Sequence, residues 1–179
     1  MLMIVDNFVK SEHFLASLKT HQEEFPDALD GWWEGWWEVK PRNIWEELIQ
    51  GIWSNYPDIE TIKGFEWWTN THTGAGLGWH QDKDETLAEA ATLITPEHGS
   101  VYYPYPHQVQ GGMLQIEYDE DQAEAIAPIH NRLVMFNPSR LHRVTKVYNG
   151  TRHAFICNIW RDHKPLSYVK NKTSEGKKT

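Results

Sequence analysis

The second half of this chain is a succession of short strand-forming segments, and this pattern constrains the fold more than any other feature of the sequence. From about residue 62 onward, runs rich in aromatic and β-branched residues alternate with Gly, Pro and Asn, which is typical of antiparallel strands joined by turns. Between two of these runs, residues 84–99 predict a short helix or a loop. The strand-forming segments are FEWWTNTH, GSVYYPY, GGMLQIEY, NRLVMF, LHRVTKV and RHAFICNIW.

The first part of the chain predicts helices instead. Ser11 is placed to cap a first helix that carries Leu15 and Leu18 on one apolar stripe and ends before Pro26. A second helix is expected just after Pro41, where apolar residues recur at the spacing of one helix face. Helices followed by many short strands predict a mainly β fold, with N-terminal helices packed on one sheet of a barrel or sandwich. The apolar residues of the second helix are Trp45, Leu48, Ile49, Ile52 and Trp53.

The length of 179 residues suits one domain with a single core. We expect a single domain over residues 1–179, with helical support in residues 1–61, a β-rich core in residues 62–162 and a polar tail in residues 170–179. The N-terminus has neither a basic leader nor a long apolar run, so we expect no signal peptide and no membrane span. The cytoplasm is therefore the expected compartment.

The net charge of −8 argues against a nucleic-acid or membrane partner, because such partners need a basic surface. Cys157 is the only cysteine, so an internal disulfide is impossible and an oxidising compartment has no support. We interpret Cys157 as a small buried hydrophobic residue.

Tryptophan is unusually frequent, with ten residues, of which four fall in the segment GWWEGWWE. Burial in the core and in helix packing is the favoured interpretation, because aromatic rings bury large areas. The alternative is an aromatic platform for a substrate, to which Trp67 and Trp68 are also suited. The four clustered tryptophans are Trp32, Trp33, Trp36 and Trp37.

Two histidines and an aspartate form the most specific chemical pattern in the chain. His80 and Asp82 are two residues apart, so in a strand their side chains share a face. His142 follows about sixty residues later, between two predicted strands, where it is placed to supply a third ligand. Two imidazoles and one carboxylate on one side of a metal leave three coordination positions open, as in non-haem Fe(II) oxygenases. An HxD pair alone is common, and its conjunction with His142 is what predicts a metal site.

Arg152 follows His142 by ten residues and comes just after the Tyr-Asn-Gly turn of residues 148–150. If these three residues form a hairpin loop with a left-handed glycine, Arg152 pairs with Lys146 and shares the face of His142. A planar guanidinium at that place suits bidentate binding of a carboxylate, such as the far end of a metal-chelating dicarboxylate. Cys157 has the opposite strand parity and is expected to face away from Arg152.

These residues resemble the Fe(II)/2-oxoglutarate-dependent dioxygenase superfamily, and within it the prolyl 4-hydroxylase-like branch. The family pattern is HxD, a Gly-Gly-x-Leu run, His-x-Val, and an Arg or Lys about ten residues later. The resemblance covers about residues 62–162 and implies a double-stranded β-helix, a jelly-roll, cupin-like barrel of two sheets. The matching segments are His80-Gln81-Asp82, Gly111-Gly112-Met113-Leu114, His142-Arg143-Val144 and Gly150-Thr151-Arg152.

Carried over by position, the resemblance implies that His80, Asp82 and His142 bind Fe(II) and that Arg152 binds the distal carboxylate of 2-oxoglutarate. It implies oxidative decarboxylation of this cosubstrate to succinate and CO2, coupled to hydroxylation of an unactivated C–H bond with O2. Ascorbate is a further cofactor that it suggests.

One position departs from the prolyl hydroxylase pattern. About nine residues before the first ligand, where these enzymes usually place a tyrosine that contacts the cosubstrate, this chain has Thr71. Tyr103 or Tyr102, in the predicted strand before the Gly-Gly run, is a candidate for that contact together with Thr71. The departure weakens the inference of a prolyl substrate and leaves the metal site unaffected.

Several alternatives remain open on the sequence alone. The substrate is peptidyl proline, a free amino acid or another small metabolite, and residues 87–99 are hypothesised to form a mobile substrate loop. A nucleic-acid demethylase is disfavoured, because the chain is acidic and Arg161 is the only arginine soon after Arg152. The main alternative is a cupin-like metal-binding protein without oxygenase activity. A carboxylate receptor such as Arg152 argues against it.

Overall fold

The computed structural model describes residues 2–24, 29–34, 40–57, 59–106, 108–119 and 122–170. Its helices are α1 (Glu12–Glu24), α2 (Ile44–Trp53), α3 (Glu85–Glu89) and α4 (Leu166–Lys170), with a 3-10 turn at Ile59–Thr61. Its strands are β1 (Met3–Val5), β2 (Asp30–Trp33), β3 (Gly64–His72), β4 (Leu77–His80), β5 (His98–Tyr102), β6 (Gln110–Gly111), β7 (Leu114–Asp119), β8 (Gln122–Ile126), β9 (Leu133–Phe136), β10 (His142–Val144), β11 (Val147–Asn149) and β12 (Arg152–Trp160).

Two antiparallel sheets form the jelly-roll barrel that was predicted. The larger sheet has the strand order β1-β9-β5-β12-β3-β2, and the smaller has the order β4-β10-β7-β8. Strands β11 and β6 form a separate short pair. Apolar side chains of the six-stranded and the four-stranded sheet pack together in the interior, among them Val101, Val134, Leu114 and Ile116. The barrel therefore has an inner face on each sheet from which functional side chains can converge.

Strand β12 lies between β3 and β5 and contributes side chains to two hydrophobic cores, one on each face of the sheet. Phe155, Cys157 and Ile159 face the layer of helices, whereas Ala154 and Ile156 face the barrel interior. On the helix side, the ring of Trp45 from α2 stacks on Phe155 with centroids 5.0 Å apart. Cys157 is completely buried on this side, as predicted. The helices thus cover the outer face of the larger sheet and leave its inner face for a site.

Local capping sets where the first two helices begin. The hydroxyl of Ser11 accepts a hydrogen bond from the backbone N–H of Phe14 at 3.2 Å, so α1 begins where it was predicted. Helix α2 begins at Ile44 rather than directly after the proline at position 41. The reason is that the side chain of Asn43 accepts the N–H groups of Trp45 and Glu46, both at 3.0 Å.

The paired tryptophans divide between core and barrel face, because neighbouring residues of a strand point to opposite sides. Strand β2, which was not among the predicted strands, places Trp33 in the core and the partly buried Trp32 on the opposite face. Strand β3 places Trp67 in the core and Trp68 on the face turned towards the barrel. Burial in the core, the favoured interpretation, therefore holds for Trp33 and Trp67. Trp36 and Trp37 lie outside the described residues.

Candidate active site

Strands β4 and β10 bring the predicted metal ligands together. They pair antiparallel with His142 opposite His80, and Asp82 follows two residues after the end of β4. The Oδ1 atom of Asp82 lies 3.7 Å from Nε2 of His80 and 3.5 Å from Nε2 of His142. The three ligand atoms all lie within 4.8 Å of one another. Atoms at this spacing can share one ion, because bonds from such ligands to a divalent metal are about 2 Å long.

Hydrogen bonds orient each of the three side chains. Nδ1 of His80 lies 2.8 Å from the carbonyl oxygen of Gly78, and Nδ1 of His142 lies 2.9 Å from that of Arg140. A ring that donates its Nδ1–H to a carbonyl presents Nε2 as the electron pair for a metal. The Nδ2 group of Asn158 donates to Oδ2 of Asp82 at 3.0 Å. This bond leaves Oδ1 of Asp82 directed at the two imidazoles.

The charge balance of this cluster favours a bound cation. Burial of His142 opposes its protonation, but the Asp82 carboxylate and the carbonyl of Arg140 outweigh burial and raise the pKa of His142 above its usual value. The same electron-rich surroundings that hold a proton on this ring would hold a metal ion there.

Arg152 lies in the barrel interior, but its strand does not form the predicted hairpin with the preceding strand. Gly150 has the predicted left-handed conformation, with φ of +81°. However, β11 pairs with β6, and Arg152 pairs with His72 of β3 rather than with Lys146. The predicted hairpin register is therefore wrong. The turn separates two strands that belong to different sheets, which residue spacing does not reveal.

The guanidinium of Arg152 is buried, and none of its contacts with described residues is to a carboxylate. Its side chain is 2% exposed, and Nε donates to the carbonyl oxygen of Gly112 at 3.0 Å. One terminal nitrogen lies 3.3 Å from the hydroxyl of Tyr103, whose ring centroid is 5.1 Å from the guanidinium carbon. No carboxylate within the described ranges pairs with Arg152. Burying a charge without a counter-ion costs free energy, unless a ligand of opposite charge binds to it.

The structure separates the three hydroxyl residues suggested for the cosubstrate. Tyr103 lies against Arg152, whereas the hydroxyl of Tyr102 donates to Asn131 on the outer side of the sheet. Thr71 lies opposite His153, and its Oγ1 is 3.2 Å from Nδ1 of that ring. Its neighbour on β3, His72, is the residue opposite Arg152. The prediction for Thr71 is therefore corrected, because strand alternation turns it away from the Arg152 face.

A cavity of about 330 Å³ opens beside the two ligands of the HxD pair. Burial raises the pKa of Glu66 in its wall to about 7, although the indole N–H of Trp160 acts in the opposite direction by donating to Oε2 at 2.9 Å. Among the wall residues other than the metal ligands, the sequence pointed only to Trp68 as part of a substrate site. Alternation along β3 places Glu66 on the same face as Trp68, but the sequence does not tell which face of the strand lies inside the barrel. These wall residues are Asp30, Glu66, Trp68, Gln81, Lys83, Glu85, Asn158 and Tyr168.

None of the helices in the described ranges has both the length and the apolar character needed to cross a bilayer.

Comparisons with known proteins agree with this geometry. Residues 67–160 match the family model described as "2OG-Fe(II) oxygenase superfamily". No curated protein matches the sequence significantly. Among solved structures, the chain is similar to a prolyl-4-hydroxylase from Pseudomonas putida, with a TM-score of 0.64 and 13% identity over 90% of this chain and 93% of that chain.

Two further structures are similar at the same level. One is a prolyl hydroxylase from Trichoplax adhaerens in complex with a hypoxia inducible factor oxygen degradation domain peptide fragment, with a TM-score of 0.60 and 13% identity over 99% of this chain and 87% of that chain. The other is the viral collagen prolyl hydroxylase of Paramecium Bursaria Chlorella virus-1 in its 2OG complex, with a TM-score of 0.58 and 13% identity over 91% of this chain and 96% of that chain. At such identities the likeness concerns the fold.

Proposed function

Because this chain belongs to the 2OG-Fe(II) oxygenase superfamily and is a dioxygenase, we propose that His80, Asp82 and His142 bind Fe(II) and that Arg152 binds the distal carboxylate of 2-oxoglutarate. The observation that carries this proposal is the buried guanidinium of Arg152, which has no carboxylate partner in the described residues and faces the same barrel interior as the triad. A metal-binding protein without a carboxylate cosubstrate has no use for such a group.

The donor set fits the metal that the family uses. Two imidazoles and one carboxylate suit Fe(II) and leave coordination positions for other ligands, whereas a structural zinc site uses more Cys or His ligands. When bound, iron and 2-oxoglutarate would together supply the oxidant that hydroxylates an unactivated C–H bond with O2, releasing succinate and CO2.

The protein's own residues bind and orient these groups. Arg152 offers a planar fork for the carboxylate, and the ring of Tyr103 lies against that fork. Apolar side chains such as Ala154 and Ile156 line the barrel wall after Arg152 and exclude water from it. Asn158 then holds Asp82 at the metal end of the same strand face.

Peptidyl proline was the substrate suggested by the family resemblance, and the likeness to prolyl hydroxylases keeps it among the substrates to test. The predicted loop of residues 87–99 includes the end of α3 and the start of β5, and we propose that the part between them, residues 90–97, forms a substrate loop. Protection of this segment from proteolysis by 2-oxoglutarate and a substrate would support that role, and unchanged cleavage would argue against it.

An anaerobic titration of the metal-free protein with Fe(II) and then 2-oxoglutarate tests the proposal. We expect the weak visible charge-transfer band of a metal-chelated 2-oxo acid in the wild type, and its loss in His142→Ala. In Arg152→Met the band should need at least about thirtyfold more 2-oxoglutarate, because losing a buried charged pair costs about 2 kcal/mol or more. Ascorbate in aerobic assays would serve as the reductant that keeps the iron ferrous.

The matched control is Arg161→Met, which removes an arginine that pairs with Glu97 just beyond the other end of β12. This variant should need no more 2-oxoglutarate than the wild type does. If the wild-type protein binds metal but gives no band, the chain is better described as a cupin-like metal-binding protein.

A further inference from the structure

We propose that the cavity beside the metal ligands binds a positively charged substrate group, an alkylammonium or guanidinium, between Asp30 and Glu66. The inference rests on the proposed function, because His80 and Asp82 in the cavity wall identify it as the substrate side of the site. The remaining wall residues then decide which kind of substrate the cavity accepts.

Strand register places the acidic side chains next to the site. Glu66 of β3 lies directly opposite Asn158 of β12, the residue that holds Asp82. Asp30 of β2 lies directly opposite Trp68 of β3. Directly opposed residues in antiparallel strands have Cβ atoms about 5 Å apart on one face. Glu66 is therefore the neighbour of a residue that contacts a metal ligand.

The carboxylates of the cavity outnumber its cations. Asp82 is assigned to the metal, and Lys83 lies 3.8 Å from the exposed carboxylate of Glu85. This leaves Asp30 and Glu66, neither of which has a cationic partner in the described part of the chain. The hydroxyl of Tyr168 donates to Asp30 at 3.4 Å, which does not neutralise its charge.

Glu66 is the stronger candidate of the two for binding a cation, because its carboxylate is partly buried. One oxygen accepts the indole N–H of Trp160, and the other has no hydrogen-bond partner among the described residues. Asp30 adds a second carboxylate to the same cavity wall. The wall therefore has acceptor oxygens in excess of donors, and an ammonium or guanidinium group brings several N–H donors.

The aromatic walls favour an organic cation over a second metal ion. Trp68 and Tyr168 line the cavity together with the two carboxylates. Aromatic faces attract ammonium and guanidinium groups and cover the methylene stem that carries them. A lysine or arginine side chain combines both requirements, whereas a proline ring would leave the two carboxylates without a partner.

The test is a binding series on protein loaded anaerobically with Fe(II) and 2-oxoglutarate, so that no turnover occurs. The probes are N-acetyl-lysine amide, N-acetyl-arginine amide, N-acetyl-norleucine amide and N-acetyl-proline amide, and tryptophan fluorescence reports binding. We expect the lysine or arginine probe to bind at least tenfold more tightly than the norleucine and proline probes. Free lysine as a fifth probe distinguishes an amino-acid substrate from a side chain in a peptide.

Variants assign the preference to the cavity. Glu66→Gln keeps an acceptor for Trp160, and both it and Asp30→Asn should weaken the cationic probe at least tenfold. The control Glu124→Gln removes an exposed carboxylate from β8 of the other sheet and should have no effect. Equal binding of charged and neutral probes, or a preference that survives both cavity variants, would overturn the inference.

The charge-transfer band separates this inference from the proposed function. If the charge-transfer band is normal but the cavity shows no preference for cations, this inference fails and the proposed function stands. If the band is absent, the same probe series on metal-free protein in chelator still decides whether the cavity selects cations.

Discussion

Replacing Glu66 by glutamine is expected to stabilise the metal-free protein at pH 8 and to leave its stability at pH 4.5 nearly unchanged. Burial raises the pKa of Glu66 from its ordinary value of 4.5 to about 7. The folded protein therefore binds this proton more tightly than the unfolded chain does. The free energy of unfolding consequently falls as the pH rises from about 4.5 to about 7.

The size of the effect follows from the same pKa. A rise from 4.5 to about 7 corresponds to about 3 kcal/mol, since one pKa unit is about 1.4 kcal/mol. Solvent reaches part of the side chain and screens it, which reduces the expected difference to about 1–3 kcal/mol. Glutamine keeps an oxygen for the indole N–H of Trp160, so the variant removes the charge and little else.

The assay is urea unfolding of both proteins in chelator at pH 4.5 and pH 8, followed by tryptophan fluorescence and circular dichroism. The control Glu124→Gln changes an exposed carboxylate and should give the same small difference at both pH values. A Glu66→Gln protein that is no more stable than the wild type at pH 8 would refute the reasoning. Equal differences at the two pH values would refute it as well.

Three further outcomes follow from the geometry. Asn158→Ala removes the donor to Asp82, and we expect roughly 10- to 100-fold weaker metal affinity in a calorimetric titration; unchanged affinity would mean that the bond does not orient the carboxylate. Gly112→Ala places a Cβ 3.0 Å from Cδ of Arg152 at a φ of +65°, so urea unfolding should show a loss of about 1–3 kcal/mol, and an equally stable variant would contradict this. Burial raises the pKa of the Cys157 thiol, so a thiol reagent should react only after unfolding, and rapid reaction of the folded protein would show that the outer core opens.

The sequence was sufficient wherever the cause lies within a few residues of its effect. Ser11 caps α1 through its own side chain, and the alternation of apolar and turn residues marked most of the strands that the structure contains. The two imidazoles and one carboxylate were identified from residue type and spacing, and β4 and β10 bring them within reach of one ion. Residue chemistry and local spacing therefore predicted the kind of fold and the kind of site.

Only the tertiary structure decided which strand lies beside which. Arg152 lies opposite His72 rather than Lys146, and Thr71 points outwards, because β12 pairs with β3 instead of folding back on β11. The cavity depends on the same long-range pairing, which brings Asp30 and Glu66 beside the metal ligands. Side chains alternate along a strand, so a change of partner or of one residue in register moves a whole set of them to the other face. The inward face of each strand is decided when the sheets close around the core, and a single segment of sequence does not contain that information.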